Sequence, residues 1–245
     1  MADRIDSGKV MLDIQHYSKT YGEGKKAADD VSLTIESGDI YGFIGHNGAG
    51  KTTTIRAVVG VLDFTEGDIF IDGHSVKDEP MECKKITAYI PDNPDLYDYM
   101  SGTQYLNFIG GIFGVPTAEL QKKAHFYANE FSLIADLDKA IGSYSHGMKQ
   151  KLAVIGALIH DPKLIIMDEP FVGLDPKAAF ILKQIMREMC DDGAAIFFST
   201  HVLEVAEKLC DKVAIIKDGR LIKSGTMEEV KGDESLEEVF LELEE

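Results

Sequence analysis

The segment GHNGAGKT, residues 45–52, constrains the fold of this chain more than any other feature. It fits the pattern G-x-x-x-x-G-K-[ST], whose glycines let the backbone curl so that several N–H groups face one polyphosphate. The β-rich run IYGFI precedes it, and a helical pattern opens at Lys51. A strand, a glycine-rich loop and a helix in this order predict an α/β core with an anion site at the helix N-terminus.

The phosphate loop also predicts roles for individual residues. Lys51 would reach the β and γ phosphates of a nucleotide, and the Thr52 hydroxyl would be a ligand of the Mg²⁺ that bridges them. The alternative is a glycine-rich turn with a purely structural purpose. The residues that we expect to contact the nucleotide here are Gly45, Asn47, Gly48, Ala49, Gly50, Lys51, Thr52 and Thr53.

A second acidic cluster follows the apolar run LIIM, where Asp168 and Glu169 end a predicted strand. Alone, this could be a strand with an acidic exit and nothing more. If the cluster lies beside the phosphate loop, it indicates a catalytic site, because Asp168 could hold Mg²⁺ through its water shell. Glu169, one residue further on, could then orient or deprotonate the water that attacks the γ-phosphorus.

The order of predicted elements divides the chain into parts. Between residues 10 and 71, four short β-rich runs and the helix at Lys51 predict a mixed sheet with a helix on one face. Residues 92–158 have helical spacing with no convincing strand, which indicates a helical insert. The buried-strand runs LIIM, AIFFS and VAIIK then alternate with helices, the pattern of a parallel sheet.

The last twenty residues, 226–245, are acidic and are predicted to form a short C-terminal helix. Their apolar residues recur at i, i+3, i+4 and i+7, which makes one stripe on a helix. We expect this stripe to dock on the same domain, with the acidic face in solvent. The stripe consists of Leu236, Val239, Phe240 and Leu243.

Charge and cysteine usage exclude some classes of function. The 42 acidic and 25 basic side chains give a net charge of −17, and no basic cluster is present, so we expect no nucleic-acid partner. The three cysteines have no CxxC spacing and fit a reducing cytosol. The first ten residues lack the apolar stretch of a secretory signal, and the most apolar segment, Phe108 to Val115, is too short to span a bilayer. Any membrane role is therefore expected to depend on a partner.

With the segment YSHGMKQ, residues 144–150, the chain resembles the ABC ATPases from about Leu12 to Val230. The resemblance implies a single ABC ATPase domain over residues 1–245. Its fold class would be α/β: a P-loop NTPase core with a mostly parallel sheet, an N-terminal antiparallel β subdomain and an inserted α-helical subdomain. The core would comprise residues 10–91 and 159–225, and the helical subdomain residues 92–158.

The resemblance also implies a site shared between two subunits. Ser145 and the Gly147 amide would contact a γ-phosphate held by the opposite subunit, although His146 stands where the family often has glycine. Asp175 would couple the two sites, and His201 would contact the γ-phosphate and steady the attacking water. Each assignment has a structural alternative. Ser145 could simply cap a helix, Asp175 could mark a helix start before Pro176, and His201 could be a structural histidine after a strand.

Two further assignments follow from the resemblance. Tyr21 corresponds to the aromatic residue that stacks on adenine, with Tyr17 as its local competitor. Asp92 stands where the family usually has glutamine, so it could join Thr52 and Asp168 in the magnesium shell. We expect this shorter, charged side chain to alter the metal dependence.

The function implied is that of an ATP-hydrolysing subunit of an ABC transporter, with ATP and Mg²⁺ as cofactors. Two copies, or one copy and a paralogous ATPase, would close over two Mg-ATP and drive a permease on a separate chain. We expect a cytoplasmic location on the inner face of the membrane, and the segment SLEEVFLELEE resembles the ending of bacterial export-type subunits. The segment 96–102, with Tyr105, Leu106 and Phe108, resembles the surface that receives the membrane subunit, unless these side chains only pack the insert.

Two alternatives stay open at this point. One is a non-transport ABC-type mechanochemical ATPase, such as those serving DNA repair or translation, which commonly carry coiled coils, second cassettes or basic surfaces. The other is a degenerate cassette that binds ATP without hydrolysing it. That cassette would lack the base or the switch histidine, whereas Glu169 and His201 are both present.

Overall fold

The computed structural model describes residues 8–22, 24 and 26–244. The expectation drawn from the first ten residues therefore falls mostly outside the described residues. The strands are β1 (Val10–Thr20), β2 (Lys26–Glu36), β3 (Ile40–Ile44), β4 (Glu66–Ile71), β5 (His74–Ser75), β6 (Thr87–Ile90), β7 (Leu164–Asp168), β8 (Ala195–Thr200), β9 (Lys212–Lys217) and β10 (Arg220–Thr226). The α-helices are α1 (Lys51–Val58), α2 (Pro80–Ile86), α3 (Gly102–Ile112), α4 (Thr117–Glu130), α5 (His146–Leu158), α6 (Pro176–Asp191), α7 (Leu203–Leu209), α8 (Met227–Lys231) and α9 (Leu236–Glu244).

The larger sheet has the strand order β10-β9-β3-β8-β7-β6. All its neighbouring strands pair in parallel except β10, which runs antiparallel to β9. Most residues of the five parallel strands are buried and apolar, as expected for a parallel sheet covered on both faces. The predicted α/β class with a mostly parallel sheet is confirmed.

The N-terminal strands form a separate antiparallel sheet with the order β2-β1-β4-β5. The prediction of one mixed sheet over residues 10–71 was therefore wrong, because β3 leaves its sequence neighbours and pairs with β8 and β9. Alternate residues of β3 face two different cores. Tyr41 and Phe43 belong to the core that also contains the buried residues of β1, β2, β4 and α1, whereas Ile40 and Ile44 face the core that contains the buried residues of α5 and α6.

Helices occupy the segment between β6 and β7, as the sequence predicts. Two short 3₁₀ turns, Ile134–Asp136 and Ile141–Ser143, connect α4 to α5. α3 begins at a capping box, in which the Ser101 hydroxyl accepts a bond from the Gln104 N–H and the Gln104 side chain accepts one from the Ser101 N–H. α5 is buried along most of its length and contacts α3, α4 and β6, so it joins the helical segment to the sheet.

The C-terminal segment forms two helices, α8 and α9, where the sequence predicts one. α8 ends at Gly232, whose φ of 58° lies in the left-handed region that glycine adopts without strain. The predicted apolar stripe does dock on the domain: Leu236, Val239 and Phe240 are buried. α9 packs against α7 and α8.

α2 and β10 are among the elements that the sequence analysis does not predict. α2 has only seven residues, and β10 is mostly exposed at the edge of its sheet, so neither has a clear hydrophobic period. Within the described part of the chain, no helix combines the length and apolarity needed to cross a membrane.

The cap of α3 provides a test of the helical segment. We expect Ser101→Ala to lower the free energy of unfolding by about 1 kcal/mol, because it removes the acceptor for the Gln104 N–H. Urea unfolding measures the change. Gln121→Ala, on the exposed face of α4, is the control and should change stability by less than about 0.5 kcal/mol. Equal stability of the Ser101 variant and the wild type would contradict the prediction.

Candidate functional site

The site lies where three parallel strands end. β3 pairs with β8 and β8 pairs with β7, with Ile44 opposite Thr200 and Asp168 opposite Ser199. The carboxyl ends of these strands meet at one edge of the sheet, where ligands bind in open α/β sheets. The phosphate loop, residues 45–50, follows β3 at this edge and leads directly into α1.

The shape of the phosphate loop requires glycine at two positions. At Gly50, φ is 110°, and a Cβ would lie 2.2 Å from the Ala27 carbonyl oxygen. At Gly45, a Cβ would lie 2.4 Å from the Ile216 carbonyl oxygen. The loop is thus pressed against β2 and β9, and a larger residue at either position would push it away from the site.

The Lys51 side chain lies inside the curl of the loop and is only 6% exposed. Its Nζ donates to the carbonyl oxygens of Gly45 at 2.5 Å and His46 at 3.2 Å, and it lies 3.7 Å from Oε1 of Glu169. Burial lowers the pKa of Lys51 from its usual range, although the charges of Glu169 and Asp168 oppose the shift. The Lys51 ammonium group therefore lies at the centre of the loop, where it can bind an anion.

Asp168 is fixed by two hydroxyl groups. Thr52 Oγ1 donates to its Oδ2 at 2.7 Å, and Ser199 Oγ donates to its Oδ1 at 2.5 Å. The carboxylate is almost fully buried. Sequence reasoning missed Ser199; the available signal was a serine in an otherwise apolar strand, two residues before His201.

Glu169 leaves the strand in a left-handed conformation, with φ of 48°. Its N–H donates to the Ser199 carbonyl oxygen at 3.2 Å and to Ser199 Oγ at 3.1 Å, which stabilises this turn. Its Oε1 lies 2.9 Å from Nδ1 of His201, and His201 is about half exposed. The carboxylate and the imidazole therefore meet at the opening of the site, where a water molecule could be oriented and deprotonated.

Lys51, Thr52, Asp168 and Glu169 line a cavity of about 210 Å³. Its polar lining suits a polyphosphate with its metal. The Thr52 hydroxyl and the carboxylates of Asp168 and Asp92 are hard oxygen donors of the kind that Mg²⁺ prefers. Among the described residues, no three His, Cys, Asp or Glu side chains converge to hold a metal alone, and Mg²⁺ commonly relies on water and phosphate for its other ligands. The lining residues are Ala27, His46, Asn47, Gly48, Gly50, Lys51, Thr52, Thr53, Asp92, Asp168 and Glu169.

A second group of predicted residues lies together elsewhere. Ser145 is the N-cap of α5 and accepts from the Met148 N–H, and Asp175 is the N-cap of α6 and accepts from the Ala178 N–H. Lys151 donates to Asp175 at 2.5 Å, and this bond lowers the pKa of Asp175. A Cβ at Gly147 would lie 2.6 Å from the Gly173 carbonyl oxygen, so the two segments are closely packed. Within the described chain, neither Ser145, Gly147 nor Asp175 lines the phosphate-loop cavity.

The two tyrosines considered for adenine stacking differ in exposure. Tyr17 is fully buried, and its hydroxyl donates to the Thr53 carbonyl oxygen at 3.4 Å. Its ring packs edge-on against Phe64, with 5.2 Å between the ring centroids. Tyr21 is 51% exposed, and Lys19 Nζ lies over its ring at 5.6 Å from the centroid. Burial thus removes Tyr17 from the choice, and Tyr21 stays the predicted stacking residue.

Comparison with known proteins identifies the family. A family model described as ABC transporter matches residues 28–172, more than half of the chain. The chain belongs to the ABC transporter ATP-binding family. It is 34% identical over 233 residues to the ABC transporter ATP-binding protein NatA of Bacillus subtilis, which covers 94% of this chain and 95% of that protein.

Solved structures of ABC ATPases have the same fold. One, described as an ATP binding subunit of an ABC transporter, is 34% identical with a TM-score of 0.92, and the match covers 96% of this chain and all of that one. The cbiO1 protein of Clostridium perfringens, part of the ABC transporter complex cbiONQ, is 26% identical with a TM-score of 0.78, over 96% of each chain. The predicted ABC ATPase fold is confirmed, and ATP binding and hydrolysis are the general activities of such domains.

The buried Lys51 predicts a pH dependence of ATP binding. Since burial places the pKa of Lys51 below the ordinary value of 10.5, its charge is lost at a lower pH than that of an exposed lysine. ATP affinity should therefore fall as the pH rises towards this lowered pKa, while the fold persists. Titration with a fluorescent ATP analogue from neutral to alkaline pH measures the effect. Lys51→Met is the control: it should bind weakly, and an equal alkaline decline in this variant would contradict the assignment.

Proposed function

We propose that this chain is the ATP-hydrolysing subunit of an ABC transporter, which closes over two Mg-ATP with a second ATPase subunit and drives a separately encoded membrane permease. One observation carries the proposal. Lys51, Thr52, Asp168 and Glu169 surround a single cavity on the phosphate loop, and His201 contacts Glu169 at its opening. These are the groups that phosphoryl transfer to water requires.

Each side chain has a distinct task in the proposed mechanism. Lys51 binds the terminal phosphates and offsets their charge, while Thr52, Asp168 and Asp92 would hold Mg²⁺. When bound, Mg²⁺ neutralises charge on the phosphate oxygens. Glu169 accepts the proton of the attacking water, and His201, whose Nδ1 lies 2.9 Å from Glu169 Oε1, helps to hold that carboxylate in place. Ser199 fixes the Asp168 carboxylate and the turn that carries Glu169.

The second group of residues supports a site completed by another subunit. Ser145 and Gly147 lie at the N-terminus of α5, which offers unpaired N–H groups and the positive end of a helix to an anion. They do not line the phosphate-loop cavity of their own chain. We propose that they contact the γ-phosphate on the opposite subunit, either a second copy or a paralogous ATPase, and that Asp175 lies at the same boundary.

An aromatic patch on the helical segment is the proposed contact with the permease. Tyr99 is 78% exposed, Tyr97 and Phe108 are about 40% exposed, and the Tyr97 ring contacts both of the others. Leu106 is buried, so it packs the segment instead. We call Tyr97, Tyr99 and Phe108 the aromatic patch. Exposed clusters of this kind mark interaction sites, since single exposed apolar residues are common but contiguous ones are not.

An apolar groove of about 790 Å³ lies beside the helical segment, between the end of α1, α2 and the C-terminal end of α3. Phe113 lines both this groove and a smaller cavity that also includes Leu96 and Tyr105. The groove supports the same role, because it could receive an apolar segment of a membrane protein. With such a partner the chain would lie on the cytoplasmic face of a membrane, and we propose export as the direction of transport.

Replacing the proposed general base tests the mechanism. We expect Glu169→Gln to bind Mg-ATP, to lose hydrolysis by a factor of about 100 or more, and to accumulate as an ATP-bound dimer, because the amide cannot accept the proton. Phosphate release measures turnover, and light scattering with saturating ATP measures assembly. The control is Glu188→Gln, which removes a carboxylate on α6 and should behave as the wild type. A Glu169→Gln variant that stays monomeric while the wild type dimerises would overturn the dimer proposal.

Photo-crosslinking tests the aromatic patch. With a benzophenone amino acid in place of Tyr99, we expect capture of a membrane protein with about six apolar spans of membrane-crossing length. The same probe in place of Ile222, an exposed apolar residue of β10, is the matched control and should capture far less of it. Mass spectrometry identifies the captured protein. Exclusive capture of non-membrane proteins at position 99 would argue against a permease at this patch.

A further inference from the structure

The C-terminal helix α9 contacts the phosphate loop directly. The ring of Phe240 packs edge-on against the ring of His46, with 4.9 Å between the centroids. Phe240 is 7% exposed, and its helix is held by the buried residues Leu236 and Val239. The contact is therefore made by a residue anchored in the core to a residue on the exposed part of the loop.

His46 connects this contact to the phosphate-binding lysine. Its backbone carbonyl accepts a bond from Lys51 Nζ at 3.2 Å, and His46 lines the same cavity as Lys51. A shift of His46 would move one of the two carbonyl groups that hold the ammonium of Lys51. The position of α9 can thus influence the phosphate site although α9 contributes no residue to the lining of the cavity.

Two other bonds fix α9 on either side of this contact. The Lys217 side chain, at the end of β9, donates to the Leu243 carbonyl oxygen at 2.9 Å. At the other end of the helix, the Leu236 N–H donates to Glu207 on α7 at 3.2 Å, and Glu207 also pairs with Lys231. α7 begins two residues after His201. α9 therefore bridges the phosphate loop and the helix that follows the histidine.

We infer that Phe240 is a positioning residue for ATP binding: it holds His46, and through it the loop carbonyl that binds Lys51. This rests on the proposed function of the phosphate loop. The ring of Phe240 contacts His46 and reaches Glu169 only through His46 and Lys51, so its loss should weaken nucleotide binding more than it slows the hydrolytic step. An aromatic pair of this geometry should change the affinity by a factor of about 2 to 10.

The test removes the ring and keeps an apolar side chain. Phe240→Leu and Phe240→Met are of similar hydrophobic volume and should fold, as thermal unfolding can verify. We expect both to raise the KM for ATP and the Kd for ADP about 2- to 10-fold, with kcat within about twofold of the wild type. Leu241→Ala, on the exposed face of the same helix, is the matched control and should leave all three constants unchanged.

A double-mutant cycle separates positioning from a general loss of packing. His46→Ala alone should weaken nucleotide binding to a similar degree, and adding Phe240→Leu should cause little further loss, because one contact has already been removed. The inference would be overturned if the two substitutions weakened binding by independent factors that multiply in the double variant. It would also be overturned if folded Phe240→Leu and Phe240→Met bound nucleotide with unchanged affinity. If the wild type itself binds no nucleotide, the proposed function fails instead, so the two failures are distinguishable.

Discussion

The site depends on the burial of one positive charge. A lysine ammonium group is costly to remove from water unless carbonyl and carboxylate oxygens replace its hydration. Lys51 meets that requirement with the carbonyls of Gly45 and His46 and with nearby Glu169. These contacts are possible only if the loop curls back over the start of α1, and this curl is what turns the loop N–H groups towards a phosphate. The same geometry that stabilises the lysine prepares the anion site.

The rest of the fold keeps that arrangement in place from several directions. β7 and β8 bring Asp168 and Ser199 to the end of the sheet, and the antiparallel sheet presses on the outer side of the loop through Ala27. α5, which begins at Ser145, is buried among the helices and against β6. Among the described residues, Ser145 and Gly147 at the N-terminus of α5 do not line the phosphate-loop cavity, which supports the proposal that a second subunit completes the site.

Much of the candidate site could be predicted because most of its residues lie in short contiguous segments of the sequence. The phosphate loop contains its own lysine and threonine, and Asp168 and Glu169 end a recognisable strand. The structure then brings the two segments together, because β3 and β7 belong to one parallel sheet and their carboxyl ends lie at the same edge. Ser199 and Phe240 could not be found in this way. A serine in an apolar strand and an apolar residue in a terminal helix are common, and only their neighbours in space give them a role.

The sequence by itself determined the local elements, the phosphate loop and the acidic end of β7, since periodicity and motif spacing depend on residues close together in the chain. Only the tertiary structure decided that β3 leaves the N-terminal strands, that Tyr17 is buried while Tyr21 is exposed, and that α9 reaches His46. Those outcomes depend on which apolar faces cover one another. Burial between distant segments is a property of the whole packed chain, and no local pattern contains it.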